Sequence, residues 1–313
     1  MTKTSTITKT FDVMGHAVQI ASDPNLTDPF SRWLRRDWQP EDHSRVAAQL
    51  LGEGDLMLDL GANYGTFSVP ITVVKGSRCI AFEALRRNIP VLHAAIEANG
   101  ISDKYEWVLA AITGAAGEVR IAGESAYGTV GASGQRVLSY GLDDLLGEFD
   151  LSGLKLIKMD IEGCEMEALQ GANRFFETFP DVSFIFEANA AHSHRQKHLP
   201  QDLLKFFEDR GYILYLCKYG RLTRRTSSDF QESGVSDYVA SKVPLENTVT
   251  GFSFEDFDKE HIIKETRFSV TEMKHGYRLS AIDQMHLAPD WISNDAVIGP
   301  ISSPSSAGKL HAG

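Results

Sequence analysis

Asp59-Leu60-Gly61-Ala62-Asn63-Tyr64-Gly65-Thr66 joins an apolar run, Leu56–Leu60, to a helical pattern, and Glu83 closes the next apolar run 24 residues after Asp59. Glycines at such a junction let the backbone approach a ligand and take up dihedrals closed to other residues. The N–H groups that open the following helix point at the same place. A carboxylate at the end of the next strand can accept both hydroxyls of a ribose. Together these residues read as a nucleoside-cofactor site. A dinucleotide site wants Gly-x-Gly-x-x-Gly, and here Asn63 stands where its second glycine belongs. Asp59 adds a carboxylate beside the turn, which is awkward for a phosphate and suits a ligand carrying an ammonium and a sulfonium. S-adenosylmethionine fits that chemistry better than NAD.

More carboxylates follow. Asp160 and Glu162 come after the run Leu154–Met159, and Glu187 ends the run Val182–Glu187. If these runs are parallel strands, their ends share one edge with the cofactor turn. Transfer of a methyl group to an alcohol needs the alcohol's proton removed, and a positioned base contributes roughly 10²–10⁴-fold. The three carboxylates could supply that base, or could hold a divalent metal, Mg²⁺ or Mn²⁺, that acidifies the hydroxyl. Blander roles compete. Asp160 could cap a helix and hold the cofactor ammonium, Glu162 could answer a helix dipole, and Lys158 could pair a neighbouring acid. Glu165 and Glu167 read as solvated helix residues. Past Glu187, the stretch A-N-A-A-H-S-H-R-Q-K-H carries His192, His194 and His198. An H-x-H pair can bind metal or act as a base near neutral pH, and a polar loop of this kind also reads as plainly solvated. His192 is the preferred assistant.

The elements that must position these groups alternate. Strands are expected at Leu56–Leu60, Arg78–Phe82, Tyr105–Ala110, Leu154–Met159 and Val182–Glu187, with helices at Tyr64–Val74, Leu85–Asn99, Cys164–Phe179 and Leu199–Arg210. Pro70 must then lie in the early turns of its helix. Strands alternating with helices of this length predict an α/β, doubly wound, mostly parallel sheet. Tyr212–Cys217 and Tyr238–Ser241 predict a terminal antiparallel hairpin. Glu118–Ala122 reads as a short side strand, Ser125–Gly134 as a Gly- and Ser-rich loop, and Leu142–Leu146 as a helical turn. Ahead of the sheet, Phe11–Val13 and His16–Ile20 read as short strands and Asp28–Leu51 as mostly helical. The organisation expected is an N-terminal accessory segment, 1–53, a core domain, 54–244, a C-terminal extension, 245–299, and a disordered tail, 300–313.

Composition narrows the partners. An apolar share of 42% with 23% charged residues is that of an ordinary soluble globular chain. The three cysteines, Cys79, Cys164 and Cys217, are odd in number and widely spaced, which argues against a disulfide framework or a cysteine zinc site. With 31 basic against 42 acidic residues, a net −11, the chain is a poor polyanion binder, so no nucleic-acid partner is expected. The absence of a long apolar run or an apolar leader predicts no membrane association and a cytoplasmic location. The partner expected is a small-molecule acceptor.

Five segments then carry a resemblance: D-L-G-A-N-Y-G at Asp59–Gly65, A-F-E at Ala81–Glu83, L-D-D-L at Leu142–Leu145, L-I-K-M-D-I-E-G-C-E at Leu156–Glu165 and L-Q-G-A at Leu169–Ala172. In this order and spacing the chain resembles the FkbM family of S-adenosylmethionine-dependent methyltransferases, from about Gly54 to about Lys242. The resemblance implies a class I methyltransferase (Rossmann-like) fold and O-methylation, often of sugar or natural-product hydroxyls. It implies that Asp59, Gly61, Asn63 and Gly65, with Thr66 beside them, line the methionine end. Glu83 would take the ribose, and Ala110 and Ala111 would lie against the adenine. Asp160, Glu162, Glu187 and His192 remain for catalysis. The family often has proline after the second-strand acid, where this chain has Ala84-Leu85. The function expected is O-methylation of a hydroxyl on a sugar or secondary metabolite. N-methylation of a small amine, NAD-dependent oxidoreduction and non-catalytic binding are the alternatives.

Overall fold

The computed structural model describes residues 6–124, 127–189, 199–229, 235–256, 268–273, 276–281 and 297–298. The chain divides into two compact units, Met1–Phe257 and Asp258–Gly313.

Met14 and Gly15, both at positive φ, turn Ile7–Val13 (β1) back onto His16–Ser22 (β2) as an antiparallel pair. Asp28 caps Pro29–Arg36 (α1) by accepting the Ser31 N–H at 3.0 Å, and Pro29 sits where a missing N–H costs nothing. Asp42–Leu50 (α2) follows. This segment is part of the core: Val18, Ile20, Leu34, Trp38 and Val46 are all buried. The Asn99 side chain ties it further, donating to the Gln19 carbonyl at 2.7 Å and accepting from the Gln19 N–H at 2.8 Å.

Leu56–Leu60 (β3) is buried throughout, as a strand covered on both faces must be. It pairs in parallel with Arg78–Glu83 (β4) and with Leu154–Met159 (β9). Tyr105–Ile112 (β5) extends the sheet beyond β4, and Ser183–Asn189 (β10) beyond β9, both in parallel. Val235–Ser241 (β13) then inserts antiparallel between β10 and Ile213–Lys218 (β11). The expected terminal antiparallel pair is therefore present. The segment between its strands carries a further one, Arg221–Arg225 (β12), which pairs outward with β11 and then with Ser253–Asp256 (β14). On the opposite flank lie Gly117–Glu124 (β6), Tyr127–Gly131 (β7) and Gln135–Tyr140 (β8). The strands run β14-β12-β11-β13-β10-β9-β3-β4-β5-β8-β6-β7 in one sheet. This is the class I methyltransferase arrangement, with its switch point between β3 and β9.

The helices are Ser68–Lys75 (α3), Ile89–Asn99 (α4), Leu142–Glu148 (α5), Glu165–Gln170 (α6), Asn173–Thr178 (α7) and Pro200–Glu208 (α8). One buried cluster joins Met57, Ala81, Leu156, Ile185 and Val239 to the N-terminal segment, α3 and α4. The other joins Leu58, Ile80, Ile157, Phe184 and Tyr238 to α5 through α8. The second unit contains Phe268–Met273 (β15), Gly276–Ala281 (β16) and Val297–Ile298 (β17), paired antiparallel.

Several expectations need correction. Ser125–Gly134 is not all loop, because β7 pairs there with β6. Gly128 in that strand is a packing residue: a Cβ on it would lie 2.9 Å from Leu85 Cδ1. The helix read over Cys164–Phe179 is two helices, broken where Gly171 passes so close to the Gly114 carbonyl that any side chain would overlap it. The helices after β3 and β4 start later than the pattern suggested, at Ser68 and Ile89. Positive φ at Asn63 and Gly65 keeps the first of these from starting earlier. Pro70 accordingly falls in the first turn of α3. The tail read at 300–313 lies outside the described residues.

Candidate active site

Alternation along a strand sends every second side chain to the same face. Asp59, Lys158 and Glu187 lie two residues beyond Met57, Leu156 and Ile185, and Asp237 lies two before Val239. All four therefore share the face covered by the N-terminal segment. Their registers are adjacent: Asp59 pairs with Lys158, Lys158 with Ile185, and Glu187 with Asp237. A row of ionisable groups thus crosses the carboxyl edge of the parallel strands, beside the glycine turn.

The turn is held by its own backbone. Gly61 and Ala62 both donate to the Phe82 carbonyl, at 2.9 and 3.0 Å, and Gly65 donates to Ala62 at 2.7 Å. Gly61 has φ 85°, and a Cβ there would overlap the Asp160 carbonyl oxygen. Tyr64 points inward and meets Phe30 of α1 at 5.8 Å between ring centroids. Glu83 reaches under the turn. Its Oε2 accepts the Asn63 N–H at 2.7 Å, and its Oε1 accepts the Leu85 N–H at 2.7 Å and Asn88 Nδ2 at 3.2 Å. Burial pushes the Glu83 carboxyl up to about 7, against the pull of those two N–H groups. Glu83 is therefore a scaffold of the turn as well as the carboxylate at its strand end, a role that position alone did not announce.

Asp59 is fully buried beneath the turn. Its Oδ2 accepts the Ser68 hydroxyl, which also meets the Tyr105 hydroxyl. Its Oδ1 takes no hydrogen bond and lies 3.9 Å from Lys158 Nζ. Burial raises the Asp59 carboxyl above its usual range, with Lys158 and the Ser68 hydroxyl opposing. Lys158 donates to Asp160 Oδ2 at 3.1 Å and to the Gly61 carbonyl at 3.4 Å. Burial would lower its ammonium, and Asp160 and Asp59 outweigh that and raise it. Lys158 thus joins the turn, β3 and β9 through one charge.

Asp160 follows β9 with its N–H on the Leu60 carbonyl at 3.0 Å. Glu162 is in the next turn at φ 57°. Thr66 is half-buried at the turn's end, and Glu187 half-buried at the end region of β10. Ala110 and Ala111 lie within β5 rather than after it, and Ala111 packs with Leu85, Ile121 and Val137. Glu165 was expected to be solvated and is instead buried, accepting the Ile161 N–H at 2.9 Å; burial pushes it up to about 6. Glu167 is exposed. The two acids of L-D-D-L are structural. Asp143 accepts the Phe175 N–H at 2.7 Å at the head of α7, and Asp144 accepts the Gly141 N–H at 2.8 Å. His192, His194 and His198 lie outside the described residues.

Sequence reasoning missed a second cluster. His43, at the start of α2, places Nε2 3.2 Å from Glu41 Oε2 and Nδ1 3.3 Å from Asp237 Oδ2. It stacks on Phe67, which follows the turn, at 5.5 Å. No local spacing in the sequence marks these residues.

A family model described as a methyltransferase FkbM domain matches residues 59–214. Residues 59–214 form an FkbM-family methyltransferase domain. The FkbM match begins at Asp59 and covers the turn, Glu83, the β9 acids and Glu187, a narrower span than the motifs suggested. No curated protein matches the chain. Among solved structures, the chain is similar to a precorrin-6y C5,15-methyltransferase from Geobacter metallireducens GS-15, at 11% identity and TM-score 0.40, over 64% of this chain and 87% of that one. It is similar to a putative rRNA methylase from Clostridium thermocellum, at 7% identity and TM-score 0.41, over 66% and 100%. It is also similar to M. capricolum TrmK in complex with S-adenosylhomocysteine, at 9% identity and TM-score 0.40, over 71% and 73%.

The FkbM domain uses S-adenosylmethionine, and the residues present fit it. The turn brings backbone within reach of a ligand, Glu83 stands at the next strand end, and Asp59 Oδ1 is a buried acceptor without a hydrogen bond. Among the described residues, no three His, Cys, Asp or Glu side chains converge to hold a metal ion. No helix among them is long and apolar enough to cross a membrane.

Proposed function

We propose that the FkbM domain methylates a hydroxyl of a sugar or secondary metabolite, with the acceptor's proton taken at the carboxylate row. The observation that carries this reading is the row itself. Asp160, Glu187 and Asp237 stand along one strand edge beside the cofactor turn, where an alcohol needs a base. S-adenosylmethionine, when bound, supplies a methyl group on a sulfonium, an electrophile that needs no further activation. The chain's own task is to hold that group, orient the acceptor and receive one proton. Gly61, Asn63, Gly65 and Thr66 would face the methionine end, Glu83 the ribose, and Asp160 the ammonium.

The test is a screen of sugars, polyols, aryl alcohols and amines with the purified protein, scored by S-adenosylhomocysteine release. Hydroxyl acceptors are expected, and turnover with amines alone would overturn the reading. Glu187→Gln keeps the side chain's shape and removes its charge. Its kcat should fall by about 10²-fold, with S-adenosylhomocysteine affinity near normal. Full turnover in each of Asp160→Asn, Glu187→Gln and Asp237→Asn would defeat the carboxylate row as proton acceptor.

Glu83 gives a separate prediction. Its carboxyl titrates at about 7, and ribose hydroxyls donate best to the ionised form. Affinity for S-adenosylhomocysteine should therefore weaken as pH falls through that value, by at most about tenfold per pH unit for one proton. Titration calorimetry between pH 5.5 and 8.5 reads this. The pH dependence should vanish in Glu83→Gln, and its persistence there would assign it to another group.

A further inference from the structure

Glu187 and Asp237 are directly opposed across the antiparallel pair of β10 and β13, so their side chains leave the sheet on the same face. Like charges so placed repel, and two carboxylates left alone there would hold a proton between them and take one out of service as a base. The chain sets a cation on either side. Lys158, one strand over, has its ammonium raised in part by Glu187. On the far side, His43 holds Asp237 at 3.3 Å.

The geometry of His43 is that of a holder. Both ring nitrogens face carboxylates, at 3.2 and 3.3 Å, and the residue is only 7% exposed, so the ring has no edge to offer a substrate. Phe67, which follows the glycine turn, stacks on its plane. Glu41 occupies the N-cap position of α2 yet makes no side-chain cap bond. The Ser44 N–H goes to the Glu41 carbonyl instead, and the carboxylate turns to His43. A carboxylate near a helix N-terminus is favoured by the helix dipole. Here it also holds an imidazole.

We propose that His43 is a positioning residue for acceptor activation: clamped between Glu41 and Asp237, its ring takes up the charge of Asp237 and so leaves the opposed Glu187 as the carboxylate that receives the acceptor's proton. The proposal rests on the hydroxyl-methylation reading. In that step the acceptor's O–H bond breaks, its proton goes to a Glu187 oxygen, and the freed oxygen pair forms the new O–CH3 bond, while the methyl's bond to the sulfonium would break with its electron pair staying on sulfur, so that S-adenosylhomocysteine is the leaving group. The proton then leaves to water. The charges facing His43 are Glu41 ahead of α2, Asp237 on β13, Lys158 on β9 and Asp59 on β3, with Asp160 acting on Glu41 and Lys218 on Asp237. Burial works to lower the imidazole, and the two carboxylates outweigh it and push it up to about 9. Against its own burial, His43 holds the Asp237 carboxyl below the usual range.

The experiment follows Glu187 directly. Full-length protein carrying ¹³C at the glutamate carboxyls, saturated with S-adenosylhomocysteine, is titrated by NMR, with Glu187→Gln assigning the resonance. In His43→Gln the Glu187 midpoint should rise by at least about one pH unit, and in His43→Gln/Asp237→Asn it should return. Asp237→Asn alone, which leaves the imidazole in place, should lower it, and this variant keeps the test open if His43→Gln does not fold. The acid limb of kcat, for a hydroxyl acceptor from the screen, should move with the midpoint, leaving turnover near normal at alkaline pH. A merely structural His43 would lower turnover at every pH, and adding Asp237→Asn would not rescue it. A Glu187 midpoint unmoved by either substitution overturns the proposal. A midpoint that moves while the acid limb stays fixed overturns Glu187 as the proton acceptor and with it the proposal, whereas the hydroxyl-methylation reading falls only if the acceptor screen finds turnover with amines alone.

Discussion

Lys158→Met is expected to destabilise the first unit by about 3–5 kcal/mol at neutral pH, the range for removing one partner of a buried ion pair. The lysine's ammonium donates to Asp160 at 3.1 Å and to the Gly61 carbonyl at 3.4 Å, and lies 3.9 Å from Asp59. Asp160 is partly exposed and can turn to water. Asp59 is fully buried and would keep only the Ser68 hydroxyl. The pH dependence has a definite sign. The Asp59 carboxyl already titrates higher folded than unfolded, so between those two values the folded state binds more protons and stability falls as pH rises. Removing Lys158 raises the folded value further and extends that window upward. The deficit of Lys158→Met relative to the unaltered protein should therefore shrink on acidification. Urea unfolding of both proteins at pH 5 and pH 8 reads this. A deficit under about 1 kcal/mol at both pH values, in the range of a surface pair, would show that Lys158 does not stabilise buried charge.

Gly61→Val should reduce S-adenosylhomocysteine affinity on the order of 10²-fold, the scale of misplacing a site by about an ångström. A left-handed backbone costs a residue with a Cβ about 1–2 kcal/mol. At Gly61 the side chain would also overlap the Asp160 carbonyl oxygen, a backbone atom that cannot swing aside. Relief requires β3 and β9 to part at the junction where the Asp160 N–H meets the Leu60 carbonyl at 3.0 Å. Gly54 provides the control. It has φ 77°, and a Cβ there would meet nothing within 4 Å, so Gly54→Ala should show the backbone cost alone and leave affinity unchanged. Calorimetric titration of both variants decides it; equal losses would mean that backbone strain, not the contact with β9, governs the turn.

The parts of the site legible in the sequence were those encoded locally. Asp59–Gly65 and Glu83 end consecutive strands, and the apolar runs before them are short and unbroken. Asp160 and Glu187 end later strands of the same kind. What escaped was encoded by assembly. His43 comes from a helix ahead of the sheet and Asp237 from an antiparallel strand far down the chain, and only the insertion of β13 beside β10 brings them together. Glu165 was misread because an acid on a short helix is usually wet, and the Ile161 N–H that it accepts belongs to a turn whose shape no residue type announces. β7 escaped because Gly128, which serves close packing on Leu85, resembles loop composition.

The strand order also sets a schedule for synthesis. β3 is central, yet its β9 neighbour is made roughly a hundred residues later, which at about 5–20 residues per second is on the order of 5–20 s. Until then one edge of β3 stays open on the ribosome, together with the unpaired charge of Asp59. In the β1–β2 hairpin, the Gln19 N–H and carbonyl likewise wait for the Asn99 side chain. The nascent chain therefore passes through a stage in which a half-sheet of β3, β4 and β5, largely apolar, ends in an unprotected edge. Pairings of such long sequence separation form slowly. Synthesis paused ahead of β9 should leave a species held by chaperones, and release of the chain past Met159 should end that dependence.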